Sequence, residues 1–163
     1  MDIHTTPWNF FPADQAATSA ITSIVRNGNR SALITTGVHG LSSGALISVQ
    51  GTATYWNGGY RVEVVPSTTT LLVRIEDPRS TLANLGAVGN IYTAAYMQSV
   101  FIQQALWDGA VAGGLLLTDL TGQIVWNPSS PTFSGTLTYM KAEPVNGLVL
   151  NTLATGTLQI SVH

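Results

Sequence analysis

The stretch YRVEVVPSTTTLLVRI, residues 60–75, decides the fold class of this chain. Its first half alternates, with Tyr60, Val62 and Val64 on one predicted face and Arg61 and Glu63 on the other. A period of two residues is typical of a half-buried β-strand. Arg61 and Glu63 are therefore interpreted as a solvated or interface face and not as a catalytic pair.

The second half of this stretch predicts another strand. Pro66 is expected to end the first strand, because proline cannot donate a hydrogen bond to a ladder. The threonine-rich residues 68–75 then follow as the next strand. Two short strands in close succession favour an antiparallel fold.

The same rhythm extends towards the N-terminus. Strands are predicted over 31–36 and 45–51, with a loop over 52–59. Asn27-Gly28 is a strong hairpin signal between a strand that ends near Val25 and the strand over 31–36.

Residues 14–25 leave two alternatives open. Asp14 could cap a short helix through the alanines that follow it. Ile21, Ile24 and Val25 could equally belong to a strand.

The C-terminal half repeats the pattern of short strands. Residues 91–109 favour strands over a helix, because apolar residues alternate and β-branched and aromatic residues are frequent. Residues 114–126 predict a hairpin that turns at Asp119–Gly122, and Ala154–Gly156 is expected to turn a closing hairpin. Further strands are predicted over 135–140, 147–151 and 157–162.

These short strands with frequent turn signals predict an all-β fold. The expected architecture is a small β-barrel-like module over 14–78, then a compact antiparallel β-sandwich over 79–163. An extended N-terminal arm, residues 1–13, precedes both. The boundary is placed in the stretch 76–90, which contains local charges, a proline and two glycines.

The segment Gly40–Gly44 matches the G-x-S-x-G nucleophile elbow of hydrolases, with Ser42 at the nucleophile position. That elbow requires a helix after the serine and an acid and a histidine later in the chain. Here the next segment has the two-residue period of a strand, and the one later histidine is His163. The segment is therefore interpreted as a glycine-rich turn. No catalytic residue is assigned, and Asp108 and Asp119 are read as turn residues.

Composition limits the function classes. Charged residues make up 9% of the chain and the net charge is −2, so no basic stripe for nucleic acid is expected. The chain lacks cysteine, and His4, His39 and His163 have no ligand spacing, so neither a metal nor a cofactor is expected. A surface with so few charges has little electrostatic repulsion towards other chains, which suits a protein that packs against them.

Neither a targeting segment nor a membrane span is expected from the sequence. The N-terminus has no positive region followed by an apolar core of signal-peptide length. The most apolar run, residues 110–117, is too short to cross a bilayer. Synthesis in a cytoplasm is therefore expected.

Two groups of aromatic residues are candidate interface residues. Trp8, Phe10 and Phe11 lie in the proline-flanked arm, where they either cap the chain's own core or dock on a neighbouring subunit. Tyr55 and Trp56 lie in the loop 52–59, where they either pack over the barrel mouth or face a partner such as a sugar.

Residues 33–73 resemble a small β-module found in bacteriophage virion proteins and tail fibres. In that module an HGL turn and spaced glycines lead into an NG-type hairpin and a threonine-opened strand. Ile47 stands where valine is commoner in the module. The matching residues are Thr35, His39, Gly40, Leu41, Gly44, Ile47, Val49, Gly51, Asn57, Gly58, Tyr60, Val62, Thr70 and Leu71.

The resemblance implies a structural role for the turn formed by His39, Gly40, Leu41 and Gly44. Leu41 would plug the small core, and the glycines would permit the sharp path. The C-terminal part also resembles the β-sandwich ends of phage head-decoration and tail-accessory proteins. Together these likenesses imply a non-enzymatic virion protein that is assembled in the host cytoplasm.

The expected role is a capsid cement or decoration subunit that bridges neighbouring capsid proteins. Its partners would be the major capsid protein or other virion proteins, and further copies of itself, with no nucleic acid and no membrane. A tail or head–tail accessory protein and a receptor- or carbohydrate-binding subunit are the alternatives.

Overall fold

A computed structural model describes residues 8–28, 30–52, 55–75, 84–86, 89–94, 96–108, 114–128 and 144–162. Strands dominate the described residues, which confirms the predicted all-β fold. The strands are β1 (Trp8–Phe10), β2 (Thr18–Arg26), β3 (Ser31–Thr36), β4 (Leu46–Gln50), β5 (Gly58–Ser67), β6 (Thr70–Arg74), β7 (Asn90–Thr93), β8 (Tyr96–Val100), β9 (Ile102–Asp108), β10 (Leu115–Thr118), β11 (Ile124–Trp126), β12 (Val145–Leu153) and β13 (Thr157–Val162).

Six strands close into a barrel in the order β2-β3-β6-β5-β4-β7, and every neighbouring pair is antiparallel. Inward-facing side chains such as Ile24, Ile34, Ile47 and Leu71 are fully buried and fill its interior. The sixth strand, β7, comes from beyond residue 78, so the closed barrel runs to Thr93.

The other strands form two sheets with a shared core. One sheet has the order β1-β13-β9 and the other has the order β11-β10-β12-β8. Buried side chains from both sheets form one cluster that includes Trp107, Leu117, Leu150 and Ile160. This part of the chain is therefore the predicted antiparallel sandwich. The chain passes from one sheet to the other at the single residue Phe101, between β8 and β9.

Several local predictions are confirmed. The preference for strands over 91–109 is confirmed in the described residues, which form β7, β8 and β9. The Asn27-Gly28 signal lies in the β2–β3 hairpin, where Gly28 has φ 77°. The Asp119–Gly122 turn joins β10 to β11. The predicted strand over 135–140 lies outside the described residues, as do His4 and His163.

The predicted hairpin around Ala154–Gly156 is wrong. The structure places β12 and β13 in different sheets. β12 pairs with β10 and β8, whereas β13 pairs with β1 and β9. The connection is thus an arch over the sandwich core. A Gly-containing turn signal fixes a reversal of the chain but not whether the two strands share a sheet.

The faces and the end of β5 also differ from the prediction. The register shifts between Val62 and Val64, so Val62 is buried while Val64 is 49% exposed on the outer face. A β-bulge inserts one residue and reverses the alternation beyond it. The strand continues through Pro66 to Ser67, because a second shift lies there and proline is tolerated at a bulge.

Residues 8–26 resolve the two N-terminal alternatives. Pro12–Asp14 form a single 3-10 turn, in which Asp14 Oδ2 accepts a hydrogen bond of 2.7 Å from the backbone N of Phe11. The residues that follow form β2, so the strand alternative for Ile21, Ile24 and Val25 is correct. Within the predicted extended arm, residues 8–10 form the strand β1, because the edge of β13 supplies backbone partners that the sequence does not reveal.

Candidate interaction surface

The N-terminal aromatic residues serve the chain's own sandwich. In β1, Trp8 lies opposite Ile160 and Phe10 lies opposite Leu158 of β13. Both side chains are half-buried and pack against the sandwich core. This arrangement agrees with the alternative in which they cap the chain's own core. Phe11 differs, because its side chain is 51% exposed.

The two aromatic residues of the loop between β4 and β5 also separate. Trp56 is 1% exposed and belongs to the barrel core, so the expectation that it presents its ring to a partner is wrong. Tyr55 is 44% exposed. The two ring centroids are 6.3 Å apart at an interplanar angle of 53°, so Tyr55 is the accessible member of a tilted aromatic pair.

Hydrogen bonds hold this loop in place. The hydroxyl of Tyr60 donates to the backbone O of Trp56 over 2.9 Å, and Asn57 Oδ1 accepts from the backbone N and Oγ1 of Thr52. Burial raises the pKa of Tyr60 to about 12, because the phenolate would lose its hydration. The position of Trp56 is therefore fixed by groups on both sides of the loop.

The turn His39–Gly44 has the geometry of a structural turn. The backbone N of Leu41 donates to Nδ1 of His39 over 3.0 Å, and the side chain of Leu41 packs against the barrel core. Gly40 and Gly44 have φ values of 62° and 88°, in the left-handed region that favours glycine. His39 Nε2 is buried without a hydrogen-bond partner.

Ser42 does not occupy a nucleophile elbow. Its neighbour Ser43 donates through Oγ to the backbone O of Glu63, and the backbone N of Gly44 donates to Val62 O over 2.8 Å. These bonds attach the turn to β5, and the next element is the strand β4. The segment therefore lacks the strand–turn–helix geometry that exposes a nucleophilic serine.

The carboxylate of Asp119 holds the β10–β11 turn together. Its Oδ1 accepts hydrogen bonds from the backbone N atoms of Thr121 and Gln123, at 2.8 and 2.9 Å, and from Oγ1 of Thr121 at 2.7 Å. Asp108 is exposed at the end of β9. Within the described residues, no three His, Cys, Asp or Glu side chains gather to hold a metal ion.

Sequence reasoning missed a buried polar junction between the barrel and the sandwich. The side-chain amide of Gln50 in β4 donates through Nε2 to Ser48 Oγ at 2.9 Å and to Thr118 Oγ1 at 3.1 Å. Ser48 Oγ donates to Leu120 O at 2.6 Å, and Thr118 Oγ1 donates to Asn151 Oδ1 at 2.8 Å. Ser48 and Gln50 share one face of the strand, which alternation alone predicts to be solvated, whereas the structure buries that face against the sandwich.

Comparison of the chain with protein-family models, curated proteins and solved structures found no match in any of the three. No helix in the described part of the chain is long and apolar enough to cross a membrane.

Proposed function

We propose that this chain is a non-enzymatic structural subunit of a bacteriophage virion, a capsid cement or decoration protein that bridges neighbouring capsid proteins. The resemblance of residues 33–73 to the HGL-type module of virion proteins is the observation that carries the proposal. The chain would act by adhesion, through many weak contacts repeated over the particle.

The use of the chain's reactive groups supports this role. His39 and Asp119 form hydrogen bonds that shape turns, and Ser42 precedes a strand. The barrel interior is packed with apolar side chains, including the whole of Trp56. The turn-forming hydrogen bonds and the apolar core both stabilise a rigid scaffold.

The surface supports the same role. With 9% charged residues, the chain has little electrostatic repulsion to keep neighbouring copies apart. Phe11 and Tyr55 are large rings on the surface, of the type that anchors protein interfaces. They replace Trp8, Phe10 and Trp56 as the anchors towards another protein.

A second candidate is a carbohydrate- or receptor-binding subunit of the virion. The observation that favours it is the exposed ring of Tyr55 on a loop that hydrogen bonds hold in place. Aromatic faces pack against the apolar faces of sugars. A position in the tail or at the head–tail joint is a variant of the structural role.

Binding of the purified chain to empty capsids tests the proposal. We expect the parent chain to co-sediment with capsids stoichiometrically. Phe11→Ala should weaken this binding while the variant keeps its fold. The matched control is Val38→Ala, at a side chain that is 77% exposed. Absence of capsid binding would contradict the cement role. Loss of glycan-array binding in Tyr55→Ala, with no capsid binding in the parent chain, would favour the carbohydrate role instead.

A further inference from the structure

The chain contains three Asn-Gly sequences, and the structure holds them in different ways. In such a sequence the glycine has no Cβ, so its backbone N can approach the side-chain carbonyl carbon of the asparagine. This approach is the first step of asparagine deamidation. The three pairs are Asn27-Gly28 in the β2–β3 hairpin, Asn57-Gly58 where β5 begins, and Asn146-Gly147 in β12.

Two of the pairs are restrained. Oδ1 of Asn57 accepts hydrogen bonds from the backbone N of Thr52 at 2.9 Å and from its Oγ1 at 2.7 Å, so this side chain is held in place. Asn146 lies within β12, between β10 and β8, and its backbone O accepts from the backbone N of Leu120 at 3.0 Å. A backbone held in a sheet can turn the next backbone N towards the side chain only by breaking hydrogen bonds.

Asn27-Gly28 lies in an exposed turn. Both residues are exposed, and Gly28 has φ 77° between β2 and β3. In the described part of the chain, neither the side chain of Asn27 nor the backbone N of Gly28 has a hydrogen-bond partner. The side-chain carbonyl and the attacking nitrogen can therefore approach each other without breaking a hydrogen bond of their own.

Two hydrogen bonds favour the reaction at this turn. Ser31 Oγ donates to the backbone O of Asn27, which belongs to the same peptide group as the backbone N of Gly28. A donor on that oxygen stabilises the anion that forms when the nitrogen loses its proton, as an oxyanion hole does for a developing negative charge. The guanidinium of Arg26 donates through Nε to the backbone O of Gly28 at 2.9 Å, so a positive charge lies beside the reacting peptide.

We propose that Asn27 is a site of spontaneous deamidation that the hydroxyl of Ser31 promotes. Hydroxide removes the proton from the backbone N of Gly28, and this nitrogen attacks Cγ of Asn27. The new N–Cγ bond closes a succinimide ring, the Cγ–Nδ2 bond breaks, and the amide nitrogen takes a proton from water and leaves as ammonia. One water molecule then opens the ring and leaves either aspartate or isoaspartate.

The product changes both the charge and the backbone of the hairpin. The neutral amide becomes a carboxylate, which adds one negative charge to a chain whose net charge is −2. In the isoaspartate form, an extra methylene group enters the backbone next to Arg26, the register partner of Ala32 at the end of the β2–β3 ladder. The modification needs no capsid or other partner, so its test is independent of the proposed function.

Incubation of the folded chain at mildly alkaline pH tests the site. Tandem mass spectrometry of chymotryptic peptides follows deamidation at each Asn-Gly pair over time. Asn27 should react at least roughly tenfold faster than Asn57 and Asn146, because the restrained pairs react only after local opening. Asn27→Gln should abolish the modification at this position, since glutamine would have to close a larger ring. In the urea-unfolded chain the three pairs should react at similar rates.

The role of the Ser31 hydroxyl is tested separately. Ser31→Ala should slow deamidation at Asn27 by roughly two- to tenfold, the range expected for one hydrogen bond, whereas Ser31→Thr keeps a hydroxyl and should stay within about twofold of the parent. Neither substitution should change the rate in urea, and unfolding midpoints verify that both variants are folded. Equal rates at the three pairs in the folded chain would overturn the site. A Ser31→Ala variant that reacts as fast as the parent, or faster, would overturn the role of the hydroxyl.

Discussion

At the scale of single residues, His39 shows how one side chain supports a turn. Its Nδ1 accepts the backbone N–H of Leu41, the bond that an asparagine makes to the residue two positions ahead. We expect His39→Ala to lower the free energy of unfolding by about 1–2 kcal/mol, since the N–H of Leu41 loses its acceptor. His39→Asn should lose less than half of that. Urea denaturation measures both, with Ser42→Ala as the control at an exposed position of the same turn; equal losses in the two His39 variants would contradict this role.

Tyr60 makes stability depend on alkaline pH. Because burial raises its pKa from 10.0 to about 12, the folded state binds the phenol proton more tightly than the unfolded state. Its stabilising contribution is complete below pH 10 and is lost as the pH rises towards 12, by at most roughly 3 kcal/mol. Tyr60→Phe should cost about 1 kcal/mol at pH 7 through the lost bond to Trp56. That gap should shrink when both proteins are unfolded by urea between pH 9 and 12, whereas a constant gap would refute the raised pKa.

At the scale of elements, β1 is the clearest case of a segment whose role depends on its partner strand. Phe10 packs against the sandwich core, whereas its neighbour Phe11 is 51% exposed. We therefore expect Phe10→Ala to lower the free energy of unfolding by about 2–3 kcal/mol, less than for a fully buried ring, and Phe11→Ala to change it by less than about 0.5 kcal/mol. Urea midpoints compare the two, and equal losses would show that β1 is not held as described.

At the scale of the whole molecule, the junction around Gln50 connects the barrel to the sandwich. Its amide joins Ser48 of the barrel to Thr118 of the sandwich, and these groups are buried. We expect the barrel and the sandwich to unfold in one transition. Tryptophan fluorescence and far-UV circular dichroism, measured on the same samples, should give the same midpoint. Gln50→Ala should cost about 2–4 kcal/mol, because several buried polar groups lose a partner at once. Gln159→Ala on β13 is the control, and two separate transitions in the parent chain would contradict a rigid junction.

The sequence by itself determined the local structure. Alternation and β-branching marked β3, β4, β6 and the extended segments over 91–108, because a strand's period is set by its own backbone. Turns such as Asn27-Gly28 and Asp119–Gly122 were also readable, since their geometry depends on the residues within them. The interpretation of Gly40–Gly44 as a structural turn followed from the two-residue period of the next strand.

Only the tertiary structure decided which strands meet and which faces remain outside. The arch between β12 and β13, the pairing of β1 with β13 and the bulge that turns Val64 outward all depend on partners distant in sequence. The same holds for the burial of Trp56 in the barrel core. Local sequence fixes the period of a strand, but register and sheet membership follow from the packing of the whole chain.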